Sequence, residues 1–187
     1  MLDHFGVLAP FYDRLIAPPD PARLIDHLAL PAAGVLLDVG GGTGRVTSQL
    51  RPYVDSVIIC DVSPKMLAQA RVKGLTSPAA AEAEILPFAA ESFERVLVVD
   101  AFHHFIDQQQ AIIELARILK PGGRLVIEEP DFNHLTVKMV ALAEKVLLMR
   151  SQFYYPVQIG QMMAANGLAV EITTDGRFAA WIIGEKS

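Results

Sequence analysis

Four glycines packed into five positions, Gly40, Gly41, Gly42 and Gly44, follow directly on the apolar stretch LLDV at 36–39. Because glycine has no Cβ and readily adopts a positive φ, such a loop lets the backbone approach a ligand closely. Loops of this kind after a strand bind nucleoside triphosphates, dinucleotides or S-adenosylmethionine. Each ligand requires different neighbouring residues, so the sequence can discriminate among the three.

The residues after the glycines exclude two of these ligands. A triphosphate loop carries Lys-Ser/Thr after its last glycine, whereas Arg45 and Val46 follow Gly44 here. A dinucleotide loop reads G-x-G-x-x-G/A, and its third small residue would fall on Arg45 or Thr47, neither of which is Gly or Ala. S-adenosylmethionine remains, with Gly41 as the glycine whose identity the pattern does not demand.

An aspartate after the next apolar run supports a nucleoside-containing ligand such as S-adenosylmethionine. Asp61 ends the apolar run VIIC, and an acid there can accept hydrogen bonds from both hydroxyls of a ribose. Ser63 is better placed to cap the following helix, so we expect Asp61 to remain free for the ligand. Val62, the next residue, is predicted to bind the same cofactor. Met66 fits equally well as an apolar cover for adenine or as part of the helix core.

Two adjacent histidines are the candidates for catalysis. His103 and His104 follow the apolar run ERVLVV, and a histidine near its ordinary pKa can act as a general base. His104 is the favoured one. Glu128 and His134, near the next strand, are weaker candidates. No metal site is expected, because Cys60 is the only cysteine and no third ligand has suitable spacing.

Short apolar runs that alternate with helical patterns must position these residues. Strands that are apolar on both faces and separated by helices predict an α/β fold, a parallel doubly wound sheet that binds ligands at the carboxyl ends of its strands. A helix is predicted between Ser63 and Gly74, and another is predicted to end at PGG (121–123). The predicted strands span 34–39, 56–62, 94–100, 124–130, 168–174 and 177–185.

The length of 187 residues favours one domain, 1–187. Residues 1–30 predict a helical cap, and 132–150 an amphipathic helix that either packs on the core or forms a lid, two roles that are compatible. The DG pair at 175–176 predicts a tight turn, so the last two strands should be antiparallel.

Four motifs in order resemble the class I S-adenosylmethionine-dependent methyltransferases, in the branch that contains the ubiquinone/menaquinone C-methyltransferases. Asp38 with the glycines resembles motif I of that class, and Asp61 its second acid. The stretches AEAEILPFAAESFERVLVVDAFHHF (81–105) and LARILKPGGRLVIEE (115–129) resemble two further elements of that branch. The resemblance implies a Rossmann-like sheet of seven strands, mostly parallel, with the last strand antiparallel.

The resemblance also implies roles for individual residues around the cofactor S-adenosylmethionine, whose product is S-adenosylhomocysteine. Asp38 would orient the methionyl ammonium, Glu82 would bond the adenine amino group and Ala83 would offer its N–H to the ring. Tyr12 would close over the cofactor. The implied cofactor-binding residues are Tyr12, Asp38, Gly40, Gly42, Gly44, Asp61, Val62, Met66, Glu82, Ala83, Asp100 and Ala101.

The expected activity is methyl transfer by in-line displacement to a small, fairly apolar acceptor; the alternative is a non-catalytic S-adenosylmethionine-binding regulator. The net charge of −5 and the absence of a Lys/Arg stripe disfavour a nucleic-acid partner. No apolar run reaches the length of a transmembrane segment and no signal peptide is evident, so we expect a cytoplasmic protein.

Overall fold

The computed structural model describes residues 19–75, 77–134, 137, 152–174 and 178–187. Within them the Val-, Leu- and Ile-rich runs form a sheet of seven strands. The strands are β1 (Val35–Val39), β2 (Ser56–Asp61), β3 (Pro78–Ala80), β4 (Phe93–Val99), β5 (Leu119–Pro130), β6 (Leu168–Thr174) and β7 (Ala179–Lys186).

The strand order is β3-β2-β1-β4-β5-β7-β6. The pairs from β3 through β5 are parallel, and β7 lies antiparallel between β5 and β6. This confirms the Rossmann-like, mostly parallel sheet with its last strand antiparallel. The chain reverses its direction across the sheet between β1 and β4, and ligands of such sheets bind at that switch point.

Helices cover both faces of the sheet. One face packs against α1 (Pro21–His27), α2 (Thr47–Leu50) and α3 (Pro64–Val72), and the other against α4 (Gln108–Ile118) and α5 (Pro156–Ala165). Ser63 caps α3 by accepting from Met66 N at 3.5 Å, and Gly74 follows the helix with a φ of +78°, as predicted. Among the described helices, none has the length and apolarity that crossing a bilayer requires.

Most strand ends lie within two residues of the prediction, but one strand and one helix end differ more. The short strand β3 lies in an alanine-rich segment for which no strand was predicted. Helix α4 ends at Ile118 rather than at PGG, because Leu119 already pairs with Phe93 as the first residue of β5. The register then jumps to the pair Arg95 and Arg124, so the glycines lie within an irregular part of β5.

Several predictions fall outside the described residues. They include Tyr12 and nearly all of the helical segment at 132–150, of which only 132–134 and Val137 are described. Helix α1 lies within the segment 1–30 that was predicted as a helical cap.

Candidate active site

The glycine loop turns sharply at the end of β1. Gly40, Gly42 and Gly44 have φ values of +72°, +55° and +71°, which side chains with a Cβ rarely adopt. The amides of Gly40 and Gly41 both donate to the carbonyl of Cys60, at 2.8 and 3.2 Å. These bonds tie the loop across the carboxyl ends of β1 and β2.

The space around each glycine shows why the loop has no side chains. A Cβ on Gly40 would lie 2.5 Å from Ala101 Cβ, so the loop touches the turn after β4. A Cβ on Gly44 would lie 2.3 Å from Leu75 Cδ1. At Gly42 the nearest of the surrounding atoms is Asp61 Oδ2 at 3.9 Å, so an open cradle lies beside that carboxylate.

Gly41 was predicted to be the replaceable member of the run, and this was wrong in steric terms. A Cβ there would lie 2.8 Å from Asp38 Cγ and 3.0 Å from Ile59 Cγ2. Its φ is not in the left-handed region, so the constraint comes from packing alone. Gly41 therefore makes room for the carboxylate of Asp38 beneath the loop.

Asp38 is a buried carboxylate, with 1% of its surface exposed. Burial raises its pKa to about 6, although the hydrogen bond from Thr47 and the charge of Arg45 act in the opposite direction. Thr47 Oγ1 is the hydrogen-bond donor to Asp38 Oδ2. Asp38 therefore lies under the loop as a carboxyl group whose ionisation costs free energy unless a cationic group is nearby.

Asp61 was expected to be free, and this was wrong. Its Oδ2 accepts from Gly42 N at 2.9 Å and its Oδ1 from Ser63 N at 2.8 Å. An ionised carboxylate can accept about four hydrogen bonds in total. The two backbone bonds therefore orient the carboxylate of Asp61 at the tip of the loop.

Three of the predicted cofactor-binding residues after β2 and β3 differ in exposure. Val62 is 64% exposed, whereas Met66 and Ala83 are buried at 2% and 4%. Glu82 is exposed, and its carbonyl accepts from Ile85 N at 3.2 Å. Asp61 O accepts from Ala81 N at 3.3 Å, which brings this segment to the end of β2.

Asp100, the residue after β4, has a φ of +55°, which is strained for a residue other than glycine. Its Oδ2 lies 3.6 Å from Arg45 of the glycine loop. Burial and the nearby Glu129 raise the pKa of Asp100, whereas His103 and Arg45 act in the opposite direction. The turn after β4 is thus connected to the glycine loop by packing at Ala101 and by this ion pair.

The two histidines lie in one helical turn (Phe102–His104) but differ in their surroundings. His103 Nδ1 lies 2.6 Å from Glu129 Oε2, with both side chains buried. His104 has its ring centroid 3.9 Å from that of His103, and burial together with His103 lowers the pKa of His104 to about 3. His104, the histidine favoured from the sequence, is therefore a poor base in the folded chain.

Glu129 is the site residue that sequence reasoning missed. Its Oε1 accepts from Phe102 N at 2.8 Å while Oε2 faces His103, so its two oxygens join the end of β5 to the turn after β4. Alternation along β5 places Glu128 and Glu129 on opposite faces of the sheet, so only one of them can meet the turn after β4, but it does not show which one.

Glu128 and His134 lie at the same edge of the sheet. Glu128 is 8% exposed and pairs with Trp181 of β7. His134 Nε2 lies 3.6 Å from Asp131 Oδ2. Among the described residues no group of three His, Cys, Asp or Glu side chains is arranged to hold a metal ion.

Comparisons with known proteins agree with this geometry. Residues 37–127 match the family model described as a methyltransferase domain. An uncharacterized methyltransferase of Mycobacterium tuberculosis is 38% identical over 122 residues, which is 65% of this chain and 49% of the relative. The ubiquinone/menaquinone biosynthesis C-methyltransferase UbiE of Hahella chejuensis is 33% identical over 132 residues, covering 65% and 52%. The chain thus spans about half the length of these curated relatives.

Solved structures share the fold. The putative methyltransferase of Haloferax volcanii, solved in complex with the activator Trm112, has a TM-score of 0.79 at 20% identity and covers 99% of this chain and 98% of its own. The YcgJ protein of Bacillus subtilis has a TM-score of 0.76 at 21% identity, covering 89% and 98%.

The sheet order, the glycine loop and the domain matched by residues 37–127 are those of a class I S-adenosylmethionine-dependent methyltransferase fold. S-adenosylmethionine is accordingly its cofactor. Within that class, the relatives similar to this chain include ubiquinone/menaquinone biosynthesis C-methyltransferases.

Proposed function

We propose that this chain transfers the methyl group of S-adenosylmethionine to a small, fairly apolar acceptor by in-line displacement. The observation that carries the proposal is the contact between the glycine loop and Ala101, which joins the cofactor side of the sheet to the histidine turn. When bound, the cofactor supplies an already activated methyl group. Alignment of donor and acceptor can then account for roughly 7–11 kcal/mol of the barrier.

Described residues offer a partner for each part of the cofactor. Asp61, oriented by two backbone amides, accepts the ribose hydroxyls. Val62 presents exposed apolar surface to the adenine. The buried charge of Asp38 attracts the methionyl ammonium, and Gly42 leaves the cradle through which the backbone approaches it.

The acceptor side of the site is aromatic. Phe153 stacks on His103 with ring centroids 4.5 Å apart, and Phe132 stacks on Phe153 at 5.6 Å. Both phenylalanines are partly exposed, so they offer apolar surface next to the histidine turn. This supports a small acceptor with substantial apolar surface.

Calorimetric titration with S-adenosylhomocysteine tests cofactor binding. We expect saturable binding to the wild type and a loss of affinity of at least tenfold in Asp61→Ala, because each lost hydrogen bond to a charged group is worth about 1.5–3 kcal/mol. Asp26→Ala, which removes an exposed carboxylate on α1, is the control and should bind normally. Absence of binding to the wild type, or normal binding to Asp61→Ala, refutes the assignment.

A turnover assay tests the chemistry. Formation of S-adenosylhomocysteine is measured with a panel of quinols, phenols and amines as acceptors. Turnover of at least one acceptor supports the transferase. Tight binding of S-adenosylhomocysteine with no turnover across the panel contradicts it and favours a non-catalytic binding protein.

A further inference from the structure

The pair formed by His103 and Glu129 has the geometry of an oriented base. The distance of 2.6 Å between His103 Nδ1 and Glu129 Oε2 is that of a short, charge-assisted hydrogen bond. The side chains of His103 and Glu129 are only 6% and 5% exposed. Glu129 is itself held, because its other oxygen accepts from Phe102 N at 2.8 Å. The carboxylate cannot turn away from the imidazole without giving up that bond.

This hydrogen bond determines the tautomer of the imidazole. A carboxylate oxygen accepts, so Nδ1 carries the proton and the basic lone pair lies on Nε2. The ring plane is also fixed, since Phe153 stacks on it at an interplanar angle of 14°. The backbone of the turn is held by Gln152, whose N–H donates to His103 O at 2.8 Å. Orientation, tautomer and position of His103 are therefore all determined before a ligand binds.

The pair lies next to the turn that contacts the glycine loop. His103 follows Ala101 by two residues, and Ala101 touches the glycine loop at Gly40. Glu129 is near the carboxyl end of β5, next to β4 in the sheet. Both residues thus lie at the switch point, on the side away from Asp61.

We propose that Glu129 is a positioning residue that holds His103 as the proton acceptor for a methyl acceptor that reacts through a hydroxyl group. This inference rests on the proposed function and adds the chemical class of the acceptor. An amine attacks with its own lone pair and a thiol ionises readily near neutral pH. Among hydroxyl, amine and thiol acceptors, the hydroxyl gains most from a base in the transition state.

The step balances without another reactant. The acceptor oxygen forms a bond to the methyl carbon while its proton passes to Nε2 of His103. The carbon–sulfur bond breaks, and its electron pair goes to sulfur, which leaves a neutral thioether. The imidazolium is stabilised by Glu129 and later releases the proton to solvent.

The charges around His103 favour this assignment over His104. Glu129 contacts the ring directly, and Asp100 and His104 interact with it electrostatically. Arg45 offsets part of the charge of Asp100. Burial and the neighbouring His103 both disfavour protonation of His104.

The test compares His103→Gln, His104→Gln and Glu129→Gln with Glu114→Gln as the matched control. The carboxylate of Glu114 also accepts a backbone N–H, from Leu86 at 2.9 Å, and contacts a basic side chain, Arg117, but it lies on α4. Phenol and 4-cyanophenol, a much stronger acid, are the probe acceptors. S-adenosylhomocysteine formation and binding are measured for each variant.

We expect His103→Gln to lower kcat for phenol roughly 10²–10⁴-fold, the usual worth of a general base. The loss should be much smaller for 4-cyanophenol, which ionises without help. Glu114→Gln should stay within about threefold of the wild type, because it removes no catalytic proton acceptor, and His104→Gln should lose less activity than His103→Gln. Equal losses for both phenols, or a larger effect of His104→Gln, would overturn the proposal.

Glu129→Gln distinguishes positioning from simple packing. Removing the carboxylate destabilises the imidazolium, so the acid limb of the kcat/KM–pH profile should move to lower pH while kcat falls by tenfold or more. Glu114→Gln should leave that profile unchanged. An unshifted acid limb in Glu129→Gln contradicts the proposal.

A measurement on the free protein needs no turnover. In ¹⁵N-labelled wild type, the His103 nitrogens should show the Nδ1–H tautomer, and Glu129→Gln should lose that preference. A wild type that lacks this tautomer contradicts the proposal, as does a wild type that turns over amines or thiols but neither phenol. Failure to bind S-adenosylhomocysteine instead refutes the proposed function, so the two failures can be told apart.

Discussion

Replacing Asp38 by asparagine tests whether the buried carboxylate under the glycine loop lowers the free energy of unfolding. Burial raises the pKa of this group from 3.8 to about 6. A carboxyl whose pKa is higher in the folded chain stabilises the fold below its unfolded pKa, and that contribution is lost as the pH rises through about 6. Ionised Asp38 therefore destabilises the ligand-free protein at neutral pH.

The size of the effect follows from the two pKa values. Compared with a carboxyl whose pKa does not change on folding, Asp38 lowers the free energy of unfolding by about 3 kcal/mol at pH 7.5 and by about 1.6 kcal/mol at pH 5. Asparagine cannot ionise and can still accept the hydrogen bond from Thr47. The free energy of unfolding of Asp38→Asn minus that of the wild type should thus grow by about 1.4 kcal/mol from pH 5 to pH 7.5.

Urea denaturation at several pH values, without cofactor, measures this difference. Changes in packing or in the amide's own hydrogen bonds do not depend on pH, so they cancel in the comparison. Asp26→Asn, on the exposed face of α1, should show no such growth. A difference between Asp38→Asn and the wild type that stays flat across the pH range refutes the reasoning. The same variant should bind S-adenosylhomocysteine less tightly, by roughly 10–100-fold, because the ammonium loses a charged partner.

Three further substitutions test the loop and its surroundings. Gly44→Ala should lower the free energy of unfolding by about 1–3 kcal/mol more than Gly122→Ala, as measured by urea denaturation of both variants. Both glycines have a φ of +71°, but of the two only Gly44 lacks room for a Cβ, because Leu75 packs against it. Asp61→Asn should lower the free energy of unfolding by about 1–3 kcal/mol, because its amide cannot accept from both backbone donors. Unchanged stability in urea denaturation would contradict the two hydrogen bonds. Val62→Ser should weaken S-adenosylhomocysteine binding with a stability change within about 0.5 kcal/mol, since an exposed side chain contributes little to folding; unchanged affinity by calorimetry would remove Val62 from the adenine site.

The framework of the fold was predictable because its elements have strong local patterns. The runs of β1, β2 and β4 are apolar on both faces, and α3 has both its serine cap and its terminating glycine. Strand β3 was not predictable, since its three residues begin with proline and contain no β-branched side chain. The early start of β5 was hidden because Leu119 continues the helical apolar spacing and is drawn into the sheet by pairing with Phe93.

The site was predictable in its location but not in its internal contacts. Spacing alone placed Asp61 and the glycines at neighbouring strand ends. The backbone bonds to Asp61 and the packing of Gly41 on Asp38 depend on the curvature of the loop, which the sequence does not specify. Glu129 was not predicted because Glu128 and Glu129 are adjacent residues of the same type. Only the packing of the sheet shows that Glu129 contacts His103.

The position of β7 between β5 and β6 has a consequence for biosynthesis. Strand β6 is made before β7 but pairs with no other described strand, so it cannot join the sheet until β7 has been synthesised. Until then the edge of β5 exposes unpaired backbone groups and apolar residues such as Val126 and Ile127, as an aggregation-prone edge strand does. The nascent chain therefore passes through a stage at which chaperone protection of this edge matters most.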